Sequence, residues 1–195
     1  MALQSTPSAE AAILKEKVFK NLLYIGIFSI MMLFAGLTSA YIVSQADLKG
    51  RAFVLPEMFW YSTGIILLSS ATMNLAVQSV KRNKFEAVKI GLIATFILGI
   101  IFGFFQYFGW IELYNAGIVF AGKESFAPGS FVYVMSGLHV AHIVSGLAYI
   151  LVVMPNALKN KYNSANQAPI KLCGLYWHFL DILWVYLFVF LLVIR

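Results

Sequence analysis

Five long apolar runs decide what this chain can fold into. They lie at residues 21–44, 59–80, 88–111, 130–154 and 172–194. Each meets the roughly 20 mostly apolar residues that an α-helix needs to cross the hydrocarbon core of a bilayer. The apolar residues are continuous and do not alternate, and each run is about twice the length of a barrel strand, which argues against a β-barrel. The 195 residues are 61% hydrophobic and only 11% charged. That leaves too little polar surface to coat a soluble globule, which is about 45–50% apolar and about 25% charged. The sequence therefore predicts an all-α polytopic membrane protein, a bundle of five transmembrane helices forming one domain over residues 1–195. The segments between the runs, such as KRNKFE and PNALKNKYNSANQAPIK, are rich in Pro, Asn and charge and read as loops.

The formal charge of +6 finds its explanation in topology. With five spans, the N-terminal segment and the second and fourth loops share a side. That side holds ten of the 14 Lys and Arg residues: Lys15, Lys17, Lys20, Lys81, Arg82, Lys84, Lys89, Lys159, Lys161 and Lys171. The other side holds four: Lys49, Arg51, Lys123 and Arg195. Positive charge concentrates on the cytoplasmic side of membrane proteins, so the N-terminus is expected in the cytoplasm and the C-terminus on the periplasmic or outer side. No nucleic-acid partner is needed to explain the charge. The first run exceeds a signal-peptide core of about 7–15 residues and is expected to be retained as a span.

One cysteine, Cys173, excludes an intrachain disulfide and is too few for a cysteine zinc site or an iron–sulfur cluster. No internal repeat of useful length and an odd number of spans argue against an inverted-repeat transporter. There is no phosphate-binding GxxxxGK[ST] and no acidic cluster for a metal.

Helices in lipid associate through close backbone approach and a few polar contacts. Gly99 and Gly103 form a GxxxG in the third span, Gly137, Ala141 and Ser145 a small-residue stripe in the fourth, and Gly36 with Ala40 a pair in the first. These residues are expected at helix contacts. Ser70, Asn74 and Gln78 form a polar stripe in the second span that is expected to face protein.

Three histidines and one carboxylate sit deep in the spans. His139 and His142, in SGLHVAHIVSGL, are three apart and share a helix face. Two such neighbours cannot take opposite axial positions on one haem, and a metal would need ligands from elsewhere, which only His178 and Asp181 offer. Those two are also three apart, in LYWHFLDILW, between Trp177 and Trp184. A carboxylate in hydrocarbon costs about 2.5–3.5 kcal/mol on insertion scales, so Asp181 needs a partner, and His178 is the nearest on its face. A proton relay would need further carboxylates across the membrane, whereas Glu57 and Glu112 lie at span ends. A structural polar knot is the simpler reading. Haem ligation by His139, His142 or His178, and a small proton-coupled transporter using Asp181, stay open as alternatives from the residues alone.

YWHFLDILWVYLF resembles the last-helix signature of subunit III of the haem–copper oxidases. SGLHVAHIVSG is similar to that family's TGxHGxHVxxG helix, LFAGLTSAY to its LFAGLFSAY, and LPEMFWYSTGIILLSSATM to its LPxxNTxxLLxSSxT segment. Gln106 matches a glutamine of the helix between. The matches are collinear across all five spans and resemble the short, five-helix bacterial form. The resemblance implies a chain without haem or copper of its own, packed on the catalytic subunit I and other oxidase subunits whose haem and copper reduce oxygen to water and pump protons. It implies a phospholipid-binding cleft, support for sustained proton uptake, and residence in the bacterial inner membrane. His139, His142, Trp177, His178 and Asp181 would then be structural or lipid-cleft residues, not catalysts.

The chain departs from the family pattern at three acidic positions, occupied here by Ile30, Gly109 and Lys171, and Val140 replaces the glycine between the fourth-helix histidines. Proton-handling roles of those carboxylates do not carry over. A quinol oxidase or a nitric oxide reductase could use a related accessory subunit. The electron donor, the lipids bound and membership of a respiratory supercomplex depend on other chains. The topology is directly checkable: alkaline phosphatase, active only outside the cytoplasm, is expected to be active when fused after residue 122 and inactive when fused after residue 83. The reverse pattern would invert the orientation.

Overall fold

The computed structural model describes residues 7–45, 54–122, 125–163 and 166–194, with the side chains of residues 7–13 and 15 left aside. Lys49, Arg51, Lys123 and Arg195 and the Lys15 side chain, part of the charge reading, lie outside the described residues. Five helices run in order: α1 Pro7–Ser44, α2 Glu57–Lys81, α3 Phe85–Asn115, α4 Ala127–Leu158 and α5 Ala168–Val193. All five are long and apolar enough to cross a membrane.

Each helix outruns its apolar run, because the polar flanks are themselves helix-forming. α1 gains the most: the segment AEAAILKEK ahead of its apolar run is built largely on Ala, Glu, Leu and Lys, all strong helix formers. Its 38 residues extend about 57 Å, well beyond the hydrocarbon core. Pro56 precedes α2, and prolines open α4 and α5 at positions where no amide bond is lost.

Three helices end the same way. Asn83 (φ 55°), Gly117 (φ 79°) and Asn160 (φ 53°) follow α2, α3 and α4 in the left-handed conformation. In each case the next amide reaches back five residues: Lys84 N to Ser79 O, Ile118 N to Leu113 O and Lys161 N to Asn156 O, all 3.0 Å. This Schellman arrangement satisfies the last carbonyls and turns the chain sharply. It lets α2 return as α3 after only Arg82, Asn83 and Lys84.

α2 and α3 form the most extensive helix pair. α5 packs on α2 and α4, and α3 packs on α4. Among the described residues α1 touches α4 and α5 and no other helix, leaning on them through Phe34, Thr38, Tyr41 and Ser44 while most of its other residues stay exposed. The buried core runs through all five helices, with Trp177, Trp184, Phe59, Phe102 and Met73 among its largest side chains.

The close approaches fall mostly at glycines other than the expected ones. A Cβ on Gly91 would stand 2.9 Å from the Ala76 Cβ and from the Thr72 carbonyl oxygen. One on Gly174 would meet Val77 at 2.6 Å, and one on Gly99 would meet Trp177 at 2.7 Å. Gly36 and Gly103 have nothing within 4 Å, and Gly137 has only Trp110, at 4.0 Å. Ala141 and Ser145 are exposed, although the Ser145 hydroxyl reaches Tyr176 OH on α5 at 2.7 Å. The reason is rotational. The buried face of α4 carries Ser136, His139, Ile143, Gly146 and Ile150, and one residue of offset turns a side chain by about 100°. The small-residue stripe beginning at Gly137 therefore points off the contact. Gly103 likewise sits beside the Gly99–Phe102–Gln106–Gly109 face of α3.

A matched pair of substitutions separates the two kinds of glycine. In the isolated chain in detergent, Gly91→Ala must push backbone against backbone and is expected to cost about 1–3 kcal/mol. Gly103→Ala should stay within about 0.5 kcal/mol. Equal thermal midpoints for the two variants would contradict the α2–α3 packing.

Candidate functional site

The conspicuous polar residues of α4 and α5 do not form one site. They fall into a sealed aromatic cluster and an outward-facing polar cluster, with Trp177 between.

His139 is fully buried. Its ring lies 5.2 Å from Trp184, 5.8 Å from Phe102 and 6.5 Å from Phe34, centroid to centroid. Among the described residues neither ring nitrogen has a hydrogen-bond partner. Rings from α1, α3 and α5 thus close around an α4 imidazole. His142, one turn on, is half-buried; its Nδ1 lies 2.7 Å from the Leu138 carbonyl and its ring meets Phe34 edge-on at 5.8 Å. An axial haem contact at His139 would require opening the aromatic box. Among the described residues no three His, Cys, Asp or Glu side chains come together as a metal site.

Trp177 is the keystone of the α3–α4–α5 junction. Its indole lies against Gly99 and Gly146: a Cβ on Gly99 would come 2.7 Å from the ring, and one on Gly146 would come 3.2 Å from it. On the other side its Nε1 donates to Ser69 Oγ on α2 at 3.0 Å. One side chain therefore ties four helices. Trp184 repeats the motif one heptad later, donating to Thr63 Oγ1 at 3.0 Å, and Trp110 donates to Ser136 Oγ at 2.9 Å. Gln106, buried on α3, donates to Ser62 Oγ at 2.9 Å, and the Thr72 and Thr95 hydroxyls lie 2.8 Å apart between α2 and α3. Several of these hydroxyls also donate to a carbonyl one turn back in their own helix, as Ser62 and Thr63 do to Phe59 O. Each seam is thus fastened by a donor that finds a hydroxyl inside hydrocarbon, where water cannot substitute.

His178 and Asp181 are adjacent but not tightly paired. His178 Nδ1 lies 2.8 Å from Ser70 Oγ and 3.7 Å from Asp181 Oδ2. The second distance is too long for a hydrogen bond. The Asp181 side chain is only 3% exposed and that of His178 32%. Among the described residues neither Asp181 oxygen has a hydrogen-bond partner. His178 therefore holds α2 through Ser70 more than it holds Asp181.

None of the five candidates lines the open cleft of this bundle. That cleft, about 730 Å³, lies between the N-terminal half of α1 and the α4–α5 pair, lined by Phe19, Leu22, Leu23, Tyr149, Pro169 and Leu172 among others. Among the described residues of α1, the buried ones, Phe34, Thr38, Tyr41 and Ser44, all lie in its second half. His139 and Trp177 are instead fully buried inside the bundle.

The three positions that depart from the family pattern also have distinct surroundings. Ile30 packs on the core and Lys171 is exposed. At Gly109 a Cβ would stand 2.5 Å from the Phe59 ring, which itself packs edge-on against Trp184 at 5.6 Å. Phe59 fills the space a longer side chain at 109 would need. The sequence reading overlooked Ser62, Thr63 and Ser69; the signal was the hydroxyl doublets ST and SS inside an apolar run.

A family model described as cytochrome c oxidase subunit III matches residues 13–194. The cytochrome c oxidase subunit 3 of Alkalihalophilus pseudofirmus is 33% identical over 135 residues, 68% of this chain and 63% of that protein. That of Corynebacterium diphtheriae is 30% identical over 166 residues, 82% of this chain and 80% of its own. The cytochrome bo(3) ubiquinol oxidase subunit 3 of Buchnera aphidicola is 33% identical over 128 residues, 66% of this chain and 64% of its own.

The Phe59–Gly109 contact yields a reciprocal test. Gly109→Ala should destabilise the isolated chain by about 1–3 kcal/mol through overpacking, and adding Phe59→Leu should recover part of the loss. Additive costs in the double variant, read from thermal midpoints, would show that the two positions do not touch.

Proposed function

The chain belongs to the cytochrome c oxidase subunit III family, and from that premise we propose that it is an accessory, non-catalytic subunit of a proton-pumping haem–copper terminal oxidase. The match over residues 13–194 is the observation that carries this reading. In it the chain acts as a single domain in the bacterial inner membrane, N-terminus in the cytoplasm, packed on the catalytic subunit that holds haem and copper. Oxygen is reduced to water in that subunit, and this chain supports sustained proton uptake.

The site geometry supports the division of labour. Redox catalysis needs ligands that face a cofactor-sized space. Here His139 is enclosed by three aromatic rings, and His178 is engaged by Ser70. A transmembrane proton path needs a succession of titratable groups. Asp181 is the one carboxylate deep in a span, with Glu57 and Glu112 at helix ends. His139, His142, Trp177, His178 and Asp181 are therefore structural in this reading. Phospholipid acyl chains fit the apolar cleft beside α1, at Phe19, Leu22 and Leu172. The Buchnera relative is named as a ubiquinol oxidase subunit, which favours a quinol-fed complex as the second reading.

Affinity purification of the tagged chain from its own membranes is expected to bring down a haem-containing, copper-containing subunit in fixed stoichiometry. Its recovery as a free protein would overturn the proposal. Within the assembled complex, Asp181→Ala is expected to loosen this chain's association while leaving early oxygen turnover near normal. Immediate and complete loss of oxygen reduction in an intact complex would assign Asp181 a direct proton role instead.

A further inference from the structure

One outward face of the bundle is unlike the others. α1 shows lipid a purely apolar strip: Ile25, Phe28 and Met32 are all exposed. The seam between α2 and α5 shows polar groups at membrane depth. Ser70 and His178 lie at its centre, 2.8 Å apart, each near the midpoint of its helix. Asn74 and Gln78 continue the Ser70 face by one and two turns, and both are exposed. Next to His178 lies Asp181, buried and with no hydrogen-bond partner for either oxygen among the described residues.

Such a seam is ill-suited to acyl chains. Amides and imidazoles in a span face protein or a water-filled cavity, and a carboxylate at mid-membrane calls for a donor. Lipid head groups lie at the interfaces, about two turns or more from the middle of a helix of this length, out of reach of Ser70, Asn74 and His178, while Gln78 lies near the Lys81 end of α2. The exposed amides and the partly exposed imidazole have one remedy, a neighbouring transmembrane helix that brings donors to the seam.

We propose that the Ser70–Asn74–Gln78 stripe of α2 and His178 of α5 form the docking face for a transmembrane helix of a neighbouring oxidase subunit, one that carries a cationic, amide or hydroxyl donor at mid-membrane depth. The proposal rests on the accessory-subunit reading and adds which surface makes the contact. The polar stripe then faces protein, as its composition demands, but the protein is another chain. The partly exposed side chain of His178 is the natural first contact, and Asp181 lies one side chain behind it.

Photo-crosslinking in the intact purified complex tests this. A benzophenone amino acid is placed at Asn74, at Gln78 or, for comparison, at Phe28. Positions 74 and 78 are expected to give adducts with a second subunit, identified by mass spectrometry, and position 28 with lipid. Lipid adducts at 74 and 78 in a complex that still contains a haem–copper subunit would overturn the docking face alone. Adducts with a second copy of this chain would overturn the choice of partner. Purification without any haem–copper subunit would overturn the accessory reading and the docking face with it. A second variant needs no crosslinker. An interhelical hydrogen bond in a membrane is worth about 0.6 kcal/mol, so losing two in Asn74→Leu/Gln78→Leu should weaken retention of the chain about sevenfold. If the seam faces lipid, the same variant should be retained unchanged, and that result would count against the interface.

Discussion

The indole of Trp177 is the contact on which the bundle most depends. Its ring occupies a slot that exists only because Gly99 and Gly146 lack side chains, and its N–H ends on Ser69. In water, the hydrophobic effect would press such helices together. In hydrocarbon it gives no such push, because lipid tails are as apolar as leucine, and dispersion contacts with satisfied polar groups must hold the helices instead. A flat ring against two glycines maximises the first, and an indole N–H on a serine hydroxyl supplies the second. Trp184 on Thr63 and Trp110 on Ser136 extend the same device along the bundle.

That device also shapes what the chain can do. Side chains of catalytic type are absorbed into packing: His139 becomes one wall of an aromatic box, and Gln106 fastens α3 to Ser62 of α2. The polar side chains that remain at the surface, Asn74 and Gln78, lie on the α2–α5 side, and an apolar cleft opens under the loosely docked α1. A subunit of this design presents surfaces.

The spans were legible in the sequence because membrane thickness is a stringent ruler and Leu, Ile, Phe and Val runs read directly against it. The YWHFLD, SGLHVAH and LFAGLTSAY segments likewise pointed to the family. Rotation about each helix axis was not legible. Gly99 faces Trp177 while Gly103, one turn on, faces open space, and nothing in a GxxxG pattern distinguishes them. Nor could spacing reveal that His178 would take Ser70, a hundred residues away in sequence, over Asp181 three residues on. An i, i+3 pair guarantees only proximity; the preferred partner depends on how α2 is turned. Which of the structural or lipid-cleft candidates would be enclosed was not legible for the same reason: Trp177 and His139 sit at the packed side of the helices, while the cleft beside α1 is lined by other residues.

The reduced-minus-oxidised absorption spectrum of the chain purified by itself tests most directly whether its histidines serve packing or redox chemistry. A spectrum without a Soret band belonging to this chain is the expected result, with all haem signal travelling with the partner subunit. A Soret band stoichiometric with the isolated chain, lost on His139→Ala, His142→Ala or His178→Ala, would contradict it and make the bundle a redox protein in its own right.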